Sequence, residues 1–367
     1  MSDDSPDSGH AAGVPSDRYD VVVIGGGQAG LALGYYLRRT ELDWVILDDQ
    51  EIPGGAWTHA WDSLQLFSPA RWSSLPGWLM EGAEDEYPTK EDALGYFTAY
   101  EARYQLPIRR PIRVESVHRA PDDSYRFVLH TSVGELFARA VISATGTWRN
   151  PVLPKPSGGD RFEGVQLHSA EYRNAVPFVG QRVAVVGGGN SAAQILAEVS
   201  RVAEVLWCTL EPPSFLPDDV DGRYLFDQAT IRYRAQQAGL PPPPSHSLGD
   251  IVMVSSVRDA RDRGVLVHTP MFTSLTETGA HWEGGRSEPL DAIVWATGFK
   301  PALGHLNALD LRTSKRRTPT RGTRSVEEPR LWLVGYGGWT GFASATVIGV
   351  GRTARQTVSE VEEALHA

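Results

Sequence analysis

Two glycine-rich turns, each opening a strand–turn–helix unit, constrain this chain more than any other feature: Gly25-Gly26-Gly27-Gln28-Ala29-Gly30 and Gly187-Gly188-Gly189-Asn190-Ser191-Ala192. One glycine cluster marks a tight turn and little else. Two in the same local context predict a chain that holds two dinucleotides against each other, an arrangement suited to moving electrons.

The first turn follows Tyr19-Asp20-Val21-Val22-Val23-Ile24, which reads as a buried parallel strand. Ala29, Ala32, Leu33, Tyr36 and Leu37 then recur at helical spacing. A second strand, Trp44-Val45-Ile46-Leu47, ends in Asp48. Gly25 allows the tight turn, Gly27 lets the backbone approach a pyrophosphate, and Gly30 lets helix and strand pack closely. The helix start at Gln28 and Ala29 offers unpaired N–H groups and a positive dipole end to phosphates. Asp48 can accept hydrogen bonds from ribose hydroxyls.

The second turn follows Val183-Ala184-Val185-Val186, with Ala192, Ile195, Leu196 and Val199 as the apolar stripe behind it. The next strand, near Glu204–Thr209, ends without an acid; by the same count Leu210 takes the place of Asp48, and Glu211 follows. An alanine at the third small position accompanies the phosphorylated nicotinamide cofactor, whose 2′-phosphate calls for an arginine. None stands at this tip, and Arg223 and Arg182 are the substitutes on offer. Gly187, Gly189, Asn190, Ser191 and Ala192 are therefore assigned to a nicotinamide cofactor, NADPH ahead of NADH, with NADH left open.

A chain of 367 residues can build two domains with cores of their own. No uninterrupted apolar run of about 18 residues occurs, so no membrane partner is expected. The acidic start, Met1-Ser2-Asp3-Asp4-Ser5-Pro6-Asp7, lacks the layout of a signal peptide; residues 1–17 read as a disordered tail and the chain as cytoplasmic. Net charge is −10 with no basic stripe, which argues against nucleic acid, and Lys315-Arg316-Arg317 reads as a solvated loop. A homodimer is left open. Cys208 is the only cysteine. It rules out an intramolecular disulfide, a dithiol relay and a thiolate cage within one chain, so no metal is expected.

Between the turns, Phe162-Glu163-Gly164-Val165-Gln166-Leu167-His168-Ser169-Ala170-Glu171-Tyr172 fits the pattern F-x-G-x-x-x-H-x-x-x-Y. Here the chain resembles the class B flavin-dependent monooxygenases, whose fingerprint this is. Tyr172 in the last place is similar to the N- and S-oxygenating branch, where the Baeyer–Villiger branch usually has tryptophan. Gly54-Gly55-Ala56-Trp57 resembles the segment lying along the flavin, and Ala144-Thr145-Gly146 and Ala296-Thr297-Gly298-Phe299 resemble the two crossovers between cofactor domains. Leu331–Trp339, with Gly335, resembles the strand and turn that return to the flavin, and residues 341–347 would begin the last helix. The resemblance covers most of residues 19–355. More narrowly, Trp61–Ala70 and Val220-Asp221-Gly222-Arg223 look like the flavin monooxygenases associated with arsenic-resistance operons (the ArsO type). One departure stands out: the better-known branch carries a Thr-Asn pair protecting the oxygenated flavin near Leu66-Phe67, and no asparagine stands here.

The resemblance implies an α/β fold of two dinucleotide-binding, Rossmann-like domains. A nicotinamide domain at 151–290 would be inserted in an FAD domain made of 18–150 and 291–367. Pro154–Gly159 would be a crossing linker and Pro241–Pro244 a stiff surface loop. It further implies FAD and NAD(P)H as cofactors, with O2 and a small-molecule substrate as partners. On that resemblance hydride would pass to flavin N5, oxygen would add to give a C4a-peroxyflavin, and one oxygen would go to a small soft nucleophile: nitrogen, sulfur or trivalent arsenic. The flavin carries that chemistry, so His168 and Tyr172 are expected to position the domains rather than move protons. Two rivals stay open: an FAD-dependent NAD(P)H oxidase or reductase passing electrons to oxygen or a quinone, and a non-catalytic dinucleotide sensor.

Overall fold

The computed structural model describes residues 17–366, apart from 84–85, 122–124, 313–316, 342 and most of 219–249. The expected tail (except Asp17), Lys315-Arg316, Asp221-Gly222 and Pro242–Pro244 fall outside the described residues.

The first sheet grows from β1 (Arg18–Ile24), whose Val21, Val22 and Val23 are fully buried because both of its faces are covered. It pairs in parallel with β2 (Trp44–Leu47) on one side and β6 (Gly134–Ser143) on the other. Helix α1 (Gln28–Leu37) makes the crossover, burying Ala29, Leu31, Ala32, Leu33 and Leu37 and leaving Tyr36 half-buried. The full order is β15-β16-β17-β6-β1-β2-β3, with the β4–β5 hairpin hung on β6. Here β3 is Ile108–Arg109, β4 Val114–Arg119, β5 Phe127–Thr131, β15 Thr320–Arg321, β16 Arg324–Ser325 and β17 Leu331–Leu333. Helix α2 (Lys90–Tyr104) leads into β3; Thr89 and Asp92 close a reciprocal capping box at its start.

A second sheet, wholly parallel, has the order β10-β9-β8-β14-β7. Its strands are β7 (Val165–His168), β8 (Arg182–Val186), β9 (Glu204–Thr209), β10 (His268–Pro270) and β14 (Ala292–Trp295), with helices α3 (Asn190–Val199) and α4 (Ser255–Asp262). A small antiparallel sheet, β11 (Ser274–Thr276), β12 (Gly279–His281) and β13 (Ser287–Pro289), completes this unit. In sequence the unit lies between β6 and β15, so the chain leaves the first sheet and returns to it. The architecture is the expected α/β fold of two sheets, the second wholly parallel and the first with a parallel centre, β17-β6-β1-β2-β3, extended by the antiparallel strands β4, β5, β15 and β16.

The last helix differs from expectation. It is α5 (Val350–His366), packed on α1, and the described residues of 341–349 form turns instead. Ala343 has a left-handed φ of 59°, and Ser344 and Thr346 bond nearby backbone carbonyls rather than extending a helix.

Candidate functional site

The two glycine turns are built alike. Gly25 N–H donates to the Leu47 carbonyl at 2.8 Å, and Gly187 N–H to that of Cys208 at 3.0 Å. Each turn abuts one Ala-Thr-Gly crossover: Ala144 N–H donates to Ile24 and Ala296 N–H to Val186, both at 2.8 Å. A Cβ placed on Gly25 would lie 2.6 Å from the Ala144 carbonyl oxygen, and one on Gly187 2.3 Å from that of Ala296. Both glycines have positive φ (108° and 140°), so no other residue suits these positions. The turns end at Gly27 and Gly189, the N-caps of α1 and α3, and neither receives a side-chain cap. The first N–H groups of both helices are thus left for a phosphate. Residues and backbone fit a dinucleotide at each turn.

Around the first turn the expected residues converge. Gly55, with φ of 55°, packs so closely that a Cβ would stand 2.7 Å from Gly27 Cα. Trp57 Nε1 donates to Gln28 Oε1 at 3.0 Å, and Gln28 Nε2 donates to the Ala345 carbonyl at 2.6 Å. Gly335 meets Ala29, whose Cβ would be 2.8 Å from a Cβ added there. Asp48, nearly buried, takes the Arg110 guanidinium at 2.7 Å.

The second turn corrects two expectations. Val186 pairs with Cys208 as Ile24 pairs with Leu47, so Thr209, not Leu210, is the counterpart of Asp48. The second unit is one residue shorter between turn and strand tip. Leu210 is 89% exposed, while the Thr209 hydroxyl donates to the Glu211 carbonyl at 2.7 Å. Arg182 begins β8 at the end opposite the turn and pairs with Glu204 and Glu288, which removes it as a phosphate partner. Asn190 acts as a brace: its amide donates to the Asp250 carbonyl and accepts from Val252 N–H. Ala192 is fully buried, and Ser191 half-buried beside it. Burial pushes the Cys208 thiol up to about 12, so it stays an unreactive thiol.

The fingerprint lies at the junction of the two units. His168 is fully buried; burial lowers its pKa, against the Gly298 bond and the Glu171 charge. The neutral ring donates from Nε2 to the Gly298 carbonyl at 3.1 Å and accepts at Nδ1 from Ala170 N–H at 3.1 Å. Gly298 also accepts from Val152 N–H, and the Thr297 hydroxyl donates to the Val152 carbonyl, so the second crossover is bonded both to His168 and to the backbone beyond the first crossover. On the first crossover, the Thr145 hydroxyl donates to the Ala302 carbonyl, and Gly146 accepts from Ala302 N–H. Tyr172 is buried on Phe178, its phenol raised first by burial and then by Glu198. Glu198 in turn accepts from Ser63 at 2.6 Å. Trp61 belongs to the same buried cluster as Tyr172, so segment 61–67 of the first unit helps to build the core of the second.

His59, Trp148 and Arg173 at the junction were not foreseen. His59, Trp148 and Phe299 of the second crossover stack at 5.9 and 5.2 Å, and Phe299 meets the edge of His168 at 4.8 Å. Arg173 donates to the His59 carbonyl, and its own carbonyl accepts from Asp62 N–H. A tryptophan two places after Ala-Thr-Gly was the available signal for Trp148; Arg173 and Arg110 had none.

Known proteins fit this geometry. Residues 22–214 match the pyridine nucleotide-disulphide oxidoreductase family. A flavin-containing monooxygenase from Stenotrophomonas maltophilia is similar at 49% identity and a TM-score of 0.86, covering 95% of this chain and 99% of that one. The chain belongs to the flavin-containing monooxygenases. It is an enzyme, a flavin-dependent oxidoreductase. More distant relatives span its length too. An uncharacterized oxidoreductase, CzcO, of Bacillus subtilis is 28% identical over 94% of this chain and 99% of that protein. The indole-3-pyruvate monooxygenase YUCCA4 of Oryza sativa is 26% identical over 97% and 92%. The disulphide chemistry in the matched family's description finds no counterpart here, since Cys208 is buried and alone. No helix among the described residues is long and apolar enough to cross a membrane, and none of their His, Cys, Asp and Glu clusters could hold a metal.

Proposed function

We propose that this flavin-containing monooxygenase holds FAD on the first turn and NADPH on the second, and transfers one oxygen of O2 to a small soft nucleophile. The domains on this reading are 18–150 with 291–367 for FAD and 151–290 for the nicotinamide cofactor. The observation that carries it is the pair of equivalent turns, each backed by its own Ala-Thr-Gly crossover, the second of which is held by His168.

When bound, the flavin supplies hydride acceptance and oxygen activation. This chain's residues do the rest. Gly25, Gly27, Gln28, Ala29 and Gly30 would receive the pyrophosphate, Asp48 the ribose, and Gly55 and Trp57 the approach to the ring. Gly187, Gly189, Ser191 and Ala192 would receive the second pyrophosphate, with Asn190 bracing that turn. His168 and Tyr172 act as positioning residues, because both are buried among contacts that cross the junction. Suitable substrates present an exposed lone pair: an amine, a thioether or trivalent arsenic. Arsenite would be held weakly, since Cys208 cannot reach it.

A second reading, an NAD(P)H oxidase or reductase, is favoured by Phe67. Its ring lies 6.3 Å from that of Phe226 where the better-known branch has a polar amide. The two readings separate when NADPH consumed, peroxide released and oxygenated product formed are measured together with amines, thioethers and arsenite. We expect product with some peroxide leakage. Peroxide equal to all the NADPH with every acceptor would favour the oxidase.

A further inference from the structure

Behind Asp48 lies a charged cluster with no part in the roles assigned so far. Arg110 places Nε 2.7 Å from Asp48 Oδ2 and Nη1 2.7 Å from Glu101 Oε1. The three side chains are only 10, 5 and 19% exposed, in the order Arg110, Asp48, Glu101. A buried cluster of this kind is weak evidence for stability, because apolar packing of the same volume does as well or better. Two of its atoms, Arg110 Nη2 and Glu101 Oε2, are buried without a hydrogen-bond partner. The arrangement therefore points to something other than stability.

Asp48 is held on every side. Its N–H donates to the Arg109 carbonyl at 3.1 Å and its carbonyl accepts from Ile112 N–H at 2.8 Å. Its carboxylate is wedged against the first turn, where a Cβ on Gly26 would stand 2.7 Å from Oδ2. Arg110 binds that same Oδ2, so Oδ1 is the oxygen left for a ligand. Glu101 holds the far end of the guanidinium and ties it to α2. A planar guanidinium gripped at two nitrogens has one orientation, and it imposes that orientation on the carboxylate it binds.

We propose that Arg110, anchored by Glu101, is a positioning residue for the adenosine half of the flavin cofactor. It fixes the Asp48 carboxylate so that its second oxygen meets the ribose hydroxyls. This rests on the reading that FAD occupies the first turn. Loss of Arg110 frees the Asp48 side chain to rotate, and the ribose contact weakens while the ring end of the cofactor is untouched.

The test titrates FAD and FMN, which lacks the adenosine, into flavin-stripped wild type, Arg110→Met, Asp48→Asn and the double variant, following flavin fluorescence. FAD affinity should fall roughly tenfold or more in each single variant, the scale carried by partners that orient a ligand-holding group. The double variant should lose little beyond either single one, because both changes remove the same contact. FMN affinity should not change, and Arg110→Lys should recover part of the loss. Losses that add in the double variant, or equal losses for FAD and FMN, would mark a general defect of folding and overturn the proposal. Should Gly27→Val bind FAD as tightly as wild type, the assignment of the first turn falls, and the proposal with it. Should Gly27→Val lose FAD while Arg110→Met keeps it, the proposal alone falls.

Discussion

Gly30 is a position where the two units differ, Ala192 standing in its place in the second, and it carries a quantitative test. A Cβ built there would lie 2.0 Å from the Gly25 carbonyl oxygen and 3.1 Å from its carbon. Carbon and oxygen normally stay about 3.3 Å apart or more. Gly30→Ala must therefore push the turn open by about 1.3 Å, on the scale of that contact. The obstacle is backbone, so no side chain can swing aside. Overpacking of this kind costs about 1–3 kcal/mol. The shift falls on the N–H groups meant for the pyrophosphate, so FAD should bind roughly 10- to 100-fold more weakly. Flavin per chain after dialysis, and the dissociation constant from titration, are the measurements. The second unit supplies the control, since Ala192 already occupies the matching place, fully buried, and Ala192→Gly should leave flavin content unchanged. A Gly30→Ala protein that keeps one tightly bound FAD would refute the close-packing argument.

Three further outcomes are expected. Gly27→Val should yield colourless protein and Gly189→Val yellow protein with impaired flavin reduction; equal flavin in both would overturn the assignment of the two turns. Flavin reduction should be faster with NADPH than with NADH, since no acid stands at the tip of β9, and a tenfold advantage for NADH in stopped-flow would reverse that assignment. Acid should destabilise the fold through His305, whose pKa burial lowers to about 4. The folded state then binds fewer protons than the unfolded one, so stability is present above the ordinary histidine range and is lost as pH falls towards 4, by up to about 3 kcal/mol. Denaturation of wild type and His305→Gln across that range should show a flatter pH dependence in the variant.

Much of this was legible because glycines and apolar runs act locally. Val21–Ile24 and Val183–Val186 had to be buried strands, and the glycines after them had to turn. Cys208 followed from its strand alone. Where counting failed, the reason was a length difference that sequence does not display: one residue fewer between turn and tip puts Thr209 at the place assigned to Leu210. Arg182 was misjudged although its place at the start of β8, with the turn after the strand, already puts it at the far end; the fold adds its partners there, Glu204 and Glu288. The last helix started late because Ser and Thr side chains compete for backbone partners, a preference that apolar pattern does not register. Arg110 and Arg173 could not be found from spacing, since their partners lie far away in sequence and are chosen by the fold.

The two turns are one construction at two settings, and the differences fall on one side. The first is closed over: Gly55 sits against Gly27, Gln28 joins Trp57 to Ala345, and Asp48 is locked by an ion pair. The second is less enclosed by the described residues: none of them places an atom within 4 Å of where a Cβ on Gly189 would stand, and Leu210 beyond the strand tip faces solvent. A cofactor that must stay through every turnover needs contacts on several faces, so that its escape requires several to break at once. A cofactor that arrives with a hydride and leaves oxidised needs a site it can exit. On the proposed assignment the closed turn is the resident flavin's and the less enclosed one the exchanging nicotinamide's. The junction, where His168 holds the second crossover, would then bring a loosely held ring to a tightly held one. It is the tightly held side, through segment 61–67, that reaches across to build the other's core.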